Sequence, residues 1–291
     1  MPMIQHYVAP ASMSELLQLV VERSATILAG GTDLLPRWQR GVAGPPATVV
    51  SLRRLADLSG VQRTGEQVAI GACTPLREIA SNPIINSAAP VLAIAASRVA
   101  CPQVRNRATI GGNLCNASPA ADTAIALLLL DAELELAGFG PNGMTVRKAP
   151  IADFFRGPGK TLLEPGEILT HIRFEALPEG AFAAWDKFGT RPAMEIAVAS
   201  VGVALRFEGA TVAHARVAYG SVAPVPLRGR RAEAQLVGKL LASGTIERCV
   251  AAAREEIAPI TDVRASADYR RQVTGVLLRR MLERAQRMRK S

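Results

Sequence analysis

Two adjacent glycine pairs, Gly30-Gly31 and Gly111-Gly112, constrain this chain more than anything else in it. Ala25-Thr-Ile-Leu28 reads as a buried strand running into the first pair, and Thr32-Asp33-Leu34-Leu35, with Pro36 just inside, reads as a helix start. A strand-to-helix turn without Cβ atoms either exposes bare N–H groups as an anion-binding nest or is simply a tight turn. Taken alone, the first pair leaves those readings level. The second, in Thr109-Ile-Gly-Gly-Asn113, sits in a polar loop whose side chains can hydrogen-bond phosphate or ribose. Two such loops in one unit point to a diphosphate held between them.

Around the loops, the pattern predicts an α+β chain. A helix carrying Leu16, Leu17, Val20 and Val21 and capped by Ser12 or Ser14, together with strands at Ala47 to Leu52 and Gln67 to Ile70, forms a small α/β unit. Pro83 to Val99 has helical spacing, Ala124 to Leu130 is a second apolar helical run, and Ala132 to Ala137 with Met144 to Lys148 alternates as a hairpin. A further strand begins near Glu167, and Leu177-Pro-Glu-Gly180 reads as the linker. Beyond it, strands at Met194 to Phe207 and Val212 to Tyr219 and helices at Ala232 to Leu241, Ile246 to Ile257 and Tyr269 to Met288 predict an antiparallel sheet under a helical layer. The 291 residues suit about two domains of roughly 150, with boundaries expected at 1–176 (subdomains near 1–56 and 57–176) and 181–291.

Several chemistries lose their footing. Gly138, Gly140 and Gly143 spell GxGxxG, but a strand follows where a dinucleotide fingerprint needs a helix, so they read as a hairpin turn. Gly159-Lys160-Thr161 imitates the end of a P-loop, yet Phe154 stands where its first glycine belongs. His6, His171 and His214 lack metal-ligand spacing, Cys73, Cys101, Cys115 and Cys249 form no CxxC pair, and no GxSxG elbow surrounds Ser118. No metal site is expected. The formal charge of +9 invites a nucleic-acid reading, but residues 226–291 hold 15 Lys/Arg against 7 Asp/Glu, so the excess is local, and aromatics at 4% supply no stacking platform. The start of the chain carries no secretory pattern and the longest apolar run is too short to span a bilayer, so a cytoplasmic protein without a membrane span is expected. Binding loops without a catalytic constellation describe a cofactor carrier.

Ile27-Leu-Ala-Gly-Gly-Thr-Asp-Leu-Leu35 and Thr109-Ile-Gly-Gly-Asn-Leu-Cys-Asn-Ala-Ser-Pro-Ala-Ala-Asp122 resemble the two FAD-binding loops of the flavoprotein (medium) subunit of molybdenum hydroxylases, the xanthine dehydrogenase and aerobic carbon monoxide dehydrogenase family. Phe154-Phe-Arg-Gly157, Pro165-Gly-Glu-Ile-Leu169, Lys187-Phe-Gly-Thr-Arg191 and Tyr269-Arg-Arg-Gln-Val273 fit the same family, so the resemblance covers almost the whole chain. It implies a two-subdomain FAD-binding fold of the vanillyl-alcohol-oxidase/p-cresol-methylhydroxylase type followed by a C-terminal antiparallel sheet with helices.

The resemblance also implies roles. Ile27, Leu28, Ala29, Gly30, Gly31, Thr32, Asp33 and Leu34 would hold the pyrophosphate and nearby ribose. Thr109, Gly112, Asn113 and Asn116 would line the diphosphate from the other side, and Ala121 and Asp122 would reach the ribityl chain. Val99 and Ala100 would touch the adenosine end, Ile168 and Leu169 would pack on the isoalloxazine, and Lys187 would lie near its pyrimidine edge. Neither Val99 nor Cys115 is aromatic, a departure from the family, and the stretch from Cys115 to Ala132 has no four-cysteine insertion of the benzoyl-CoA-reductase branch. The implied partners are a small subunit with two [2Fe–2S] clusters and a large subunit with the molybdenum cofactor, in a dimer of heterotrimers. This chain would pass electrons from the clusters to an outside acceptor and carry no substrate acid or base. Two other readings are a self-sufficient flavin oxidase and a basic binding module using the C-terminal charge.

Overall fold

The computed structural model describes residues 4–23, 25–140, 143–191 and 193–289. Its first unit contains β1 (His6–Val8), α1 (Met13–Arg23), β2 (Thr26–Leu28), α2 (Leu34–Gln39) and β3 (Thr48–Ser51). The three strands form a parallel sheet in the order β1-β3-β2. Ser12 Oγ accepts the N–H of Glu15, whose carboxylate accepts that of Ala11, so the start of α1 is capped from both directions. Leu16 and Leu17 are fully buried, while Val21 is left 54% exposed. The apolar stripe is therefore narrower than the sequence suggests.

The second unit runs β4 (Val61–Thr64), β5 (Gln67–Gly71), α3 (Leu76–Ser81), α4 (Pro83–Ala88), α5 (Pro90–Ser97), α6 (Pro102–Arg105), α7 (Ile110–Cys115), α8 (Asp122–Leu129), β6 (Glu133–Gly140), β7 (Gly143–Pro150), α9 (Ile151–Phe154), β8 (Phe155–Gly157), β9 (Lys160–Thr161) and β10 (Ile168–Glu175). Its main sheet is antiparallel, ordered β4-β5-β10-β6-β7. The helix expected over Pro83 to Val99 is two helices. Ala89, with φ −150° and ψ 62°, leaves the helical region because Pro90 excludes it, and each helix begins at its own proline. The GxGxxG glycines fall in the β6–β7 hairpin; its turn, 141–142, lies outside the described residues.

The third unit holds β11 (Phe182–Phe188), β12 (Ala199–Glu208), β13 (Thr211–Gly220), β14 (Leu227–Arg228), α10 (Arg230–Leu236), α11 (Ser243–Glu256) and α12 (Ala267–Met288), with the strands antiparallel in that order. β11 was not read from the sequence, and the strand expected from Met194 starts at Ala199, after a loop in which Met194 sits at φ +53°. α10 stops at Leu236 because Gly238 turns the chain at φ +75°. Val273, Leu277 and Met281 point inward as the spacing requires, and Arg280, Arg284 and Arg287 face solvent. Arg270 does not: it is 3% exposed and donates to the carbonyls of Val198 and Ser221 and to Asp262. Position 270 shares the stripe of 273, 277 and 281, so helical geometry overrides the preference of a charge for water.

The N–H of Arg264, followed by the guanidinium groups of Arg270 and Arg264, holds the Asp262 carboxyl at about 2, below its ordinary 3.8. A folded value below the unfolded one gives stability that is complete above the unfolded pKa and lost as pH falls through the folded one. Thermal unfolding of the wild type is expected to weaken between pH ~4 and ~2, and Asp262→Asn to flatten that part of the profile. An unchanged slope in the variant would remove Asp262 from the account.

α8 joins the second and third units. All eight of its residues are buried, and Trp185, Ala204 and Ala218 of the C-terminal sheet belong to the same core. The sheet comes this close because two of its residues are glycines: a Cβ on Gly202 would meet Leu129 Cδ1 at 2.7 Å, and one on Gly220 would meet Ile125 Cδ1 at 3.1 Å. Both ends of α8 are held by cations from the third unit. Lys187 pairs with Asp122 at the N-terminus, while Arg216 and Arg228 donate to the last carbonyls, Leu129 O and Leu128 O.

Candidate flavin cleft

β2 ends at Leu28 and the chain turns at Gly30 and Gly31 before α2 begins, which places residues 27–34 along one side of a cleft of about 520 Å³. Gly30 is required by a neighbouring backbone, since a Cβ there would lie 2.0 Å from the carbonyl oxygen of Arg107. Gly31 is required by conformation, at φ +73°. Among the described residues, the N–H groups of Gly31, Thr32 and Asp33 donate to no protein acceptor. Asp33 is itself paired at the surface with Arg37, 3.7 Å away.

The second glycine pair works differently from its sequence reading. It lies not in a loop but in the first turn of α7, capped by Thr109, whose Oγ1 accepts the N–H of Gly112 at 3.1 Å. The N–H groups of Ile110 and Gly111 donate to Thr74 and Ala72, and that of Asn113 to Thr109. Gly111 is a packing glycine, its missing Cβ 2.6 Å from Ala72 Cβ. Gly112 is exposed on the cleft, and a Cβ there would meet only Thr109 Oγ1, at 2.9 Å. This side therefore offers a Cβ-free surface and side chains instead of free N–H groups. Asn113 Oδ1 accepts the Thr123 hydroxyl at 2.6 Å, which fixes the amide and leaves its NH₂ for the cleft. Asn116, Val99, Ile168 and Leu169 complete the expected lining.

Ala100, Ala121, Asp122 and Lys187 do not line this cleft. Lys187 Nζ is 2.6 Å from Asp122 Oδ2 and 2.9 Å from the carbonyl of Arg98, and both side chains are buried. Asp122 Oδ1 has no partner among the described residues. Burial pushes the Asp122 carboxyl up to about 6, with Lys187 pulling the other way.

The sequence reading missed other lining residues, among them Cys73, Cys115, Gly159 and Glu167. Cys115 lies inside the second motif and was open to being found; Cys73 reaches the cleft only because β5 ends beneath α7. Burial pushes the Cys73 thiol up to about 11 and Cys115 up to about 12, so both stay protonated at neutral pH. Glu167 is gripped by Arg147 through two contacts of 2.6 Å, which lower its pKa and keep a fixed carboxylate at the rim. Among the described residues no His, Cys, Asp and Glu cluster is placed to hold a metal, and no helix is long and apolar enough to cross a membrane.

A parallel-sheet glycine turn with unused N–H groups, facing a Cβ-free helix start across one cleft, has the features of a site for an anionic cofactor such as a dinucleotide. Two family descriptions match in succession: the FAD binding domain in molybdopterin dehydrogenase over residues 2–176, and the CO dehydrogenase flavoprotein C-terminal domain over 184–285. The carbon monoxide dehydrogenase medium chain of Hydrogenophaga pseudoflava is 35% identical over 281 residues, 96% of each chain. A xanthine dehydrogenase FAD-binding subunit of Escherichia coli is 32% identical over 282 residues, 96% of this chain and 95% of its own. The solved carbon monoxide dehydrogenase of H. pseudoflava superimposes with a TM-score of 0.92 at 36% identity, covering 98% of both chains. The chain belongs to this family of FAD-binding medium subunits of molybdenum hydroxylases.

Proposed function

We propose that the cleft holds FAD with its diphosphate between the N–H groups of Gly31, Thr32 and Asp33 on one side and Gly112, Asn113 and Asn116 on the other. The observation that carries this reading is the set of unsatisfied N–H groups at a turn whose shape is fixed by its glycines, Gly30 against the Arg107 carbonyl and Gly31 at φ +73°. Val99 is assigned to the adenosine end, and Ile168 and Leu169 to the isoalloxazine. When bound, FAD supplies a centre that takes electrons singly and releases them in pairs. The protein's part is to hold it, exclude water from the apolar end, and fix the charge around it.

As the medium chain of a carbon monoxide dehydrogenase-type complex, the protein would assemble with a small [2Fe–2S] subunit, which hands it electrons, and a large molybdenum-cofactor subunit, in a cytoplasmic dimer of heterotrimers. Substrate hydroxylation would then belong to the large subunit and reduction of the outside acceptor to this chain. Co-expressed with both partners, it is expected to copurify with them, and substrate added without acceptor is expected to bleach its flavin. A flavin that stays oxidised while the iron–sulfur clusters become reduced would contradict the electron-transfer role.

Gly112→Val tests the far wall. Its side chain would occupy the space beside Thr109 Oγ1 and is expected to weaken FAD binding by at least about tenfold, roughly 1.4 kcal/mol, and to cost about 1 kcal/mol of stability because it presses on the hydroxyl that caps α7. Undiminished FAD retention would take Gly112 out of the site.

A further inference from the structure

α2 is a helix without a buried residue. Leu34, Leu35, Pro36 and Trp38 make four of its six positions apolar, yet Leu35 is 42% exposed and Val42, just beyond the helix, 66%. A helix this short does not hold itself in water, and burial of an apolar face supplies most of the stability of helices in proteins. Here the chain supplies backbone bonds: the N–H of Leu35 donates to the carbonyl of Gly31, and those of Val42 and Ala43 return to the carbonyl of Arg37, folding the following turn onto the helix. FAD in the cleft would cover Leu34 and Arg37, which line it, but not Leu35, Trp38 or Val42, which do not. An apolar face is left for another protein to cover.

Charge and place say which kind of protein. Residues 34–54 hold Arg37, Arg40, Arg53 and Arg54 and neither Asp nor Glu. β2 and β3 are parallel, so α2 and the turn carrying Arg53 and Arg54 leave the same end of their sheet, and Leu52, just before that turn, also lines the cleft. Arg37 has Asp33 at 3.7 Å and Arg53 lies against the ring of Tyr7, while Arg40 and Arg54 have no carboxylate partner among the described residues. A tryptophan and exposed aliphatics rimmed by arginines are the composition of an interface centre. Other exposed apolar side chains, such as Phe139, Met144 and Val146 on the β6–β7 hairpin and Phe188 and Met194 at and after the end of β11, line no part of the cleft. Electron transfer falls off steeply with distance, so a subunit that feeds the cofactor needs a surface continuous with the cleft, and α2 provides one.

We propose that residues 34–42, rimmed by Arg40, Arg53 and Arg54, are the docking surface for the small [2Fe–2S] subunit, which meets them with an apolar patch bordered by carboxylates. This rests on the reading of the cleft as the FAD site and of that subunit as its electron donor.

The assembled complex of the three subunits tests it. With p-benzoylphenylalanine in place of Val42, illumination is expected to crosslink this chain to the small subunit. A crosslink to the large subunit or to a second copy of this chain, or no crosslink, would overturn the proposal. Arg40→Glu/Val42→Glu is expected to weaken the affinity of the full chain for the small subunit by at least about tenfold, with its FAD content and thermal midpoint unchanged, because neither side chain belongs to the cleft or the core. Phe139→Glu, on the hairpin, is expected to leave that affinity as it is. Wild-type affinity in the double variant, or an equal loss in Phe139→Glu, would also overturn it. The crosslink is read with and without FAD, so failure of the flavin reading shows separately, as FAD that does not bind while the crosslink to the small subunit persists.

Discussion

Gly30→Ala is expected to yield a chain that retains no FAD through purification and unfolds at a lower temperature. The added methyl would lie 2.0 Å from the carbonyl oxygen of Arg107, 2.7 Å from its carbon and 3.0 Å from Cα of Ala108, all of them backbone atoms that no rotamer change can move. The turn after β2 must therefore part from the strand of chain leading into Thr109, and these are the segments that form the two sides of the cleft. Overpacking of this kind costs about 1–3 kcal/mol and more when backbone must shift. Displacing the loop also removes the aligned N–H groups of Gly31, Thr32 and Asp33 from the diphosphate, so an affinity loss of at least about 100-fold, roughly 2.7 kcal/mol, is expected. Gly244→Ala serves as the control. It lies exposed in the first turn of α11, its Cβ would meet nothing closer than Arg248 at 3.6 Å, and it is expected to leave FAD binding unchanged while adding up to about 1 kcal/mol of helix stability. FAD content and thermal midpoint of the purified variants check both expectations.

Arg228→Met is expected to cost about 3–5 kcal/mol, the usual penalty for removing one member of a buried ionic cluster. The Arg228 side chain is 8% exposed and binds Glu233, Asp131 and the carbonyl of Leu128. Glu233 is equally buried, at 9% of its side chain, and among the described residues keeps only the N–H of Val217 and a distant Arg230 when the guanidinium is gone. Asp131 is half exposed and still has Arg216 at 2.6 Å, so the cost falls on Glu233. A double variant Arg228→Met/Glu233→Gln is expected to recover much of the loss, because no unpaired charge remains buried. Chemical denaturation of the three proteins checks this. A small effect in the single variant would mean that α8 is not held at its C-terminal end as described.

The same cluster explains part of the sequence charge. The C-terminal excess of positive residues is spread over pairs such as Arg231 with Glu255, Arg279 with Glu247 and Arg271 with Asp268, and over Arg284 and Arg289 lying against Phe182 and Phe207.

What could be read from the sequence was what is local. The turn after β2, the β6–β7 hairpin and the stripe of Val273, Leu277 and Met281 depend on neighbours a few residues away, and glycine, proline and spacing report them. The break at Ala89 was in principle legible from Pro90. What could not be read depends on distant backbone. Gly30 and Gly111 look like ligand glycines but are fixed by Arg107 and Ala72, whereas Gly112 alone of the second pair is open to the cleft. Lys187 looks like a free cation beside a ring, yet its partners lie 65 and 89 residues away. No pattern in a single sequence announces such a pair.

The account stands or falls on whether the cleft between residues 27–34 and α7 is where FAD binds. Titration of FAD into the purified apo chain, followed by flavin absorption and fluorescence and repeated with Gly30→Ala and Gly112→Val, measures this directly. One equivalent bound by the wild type, weaker binding by Gly112→Val and none by Gly30→Ala is the predicted result. No binding by the wild type, or equal binding by all three, would contradict it.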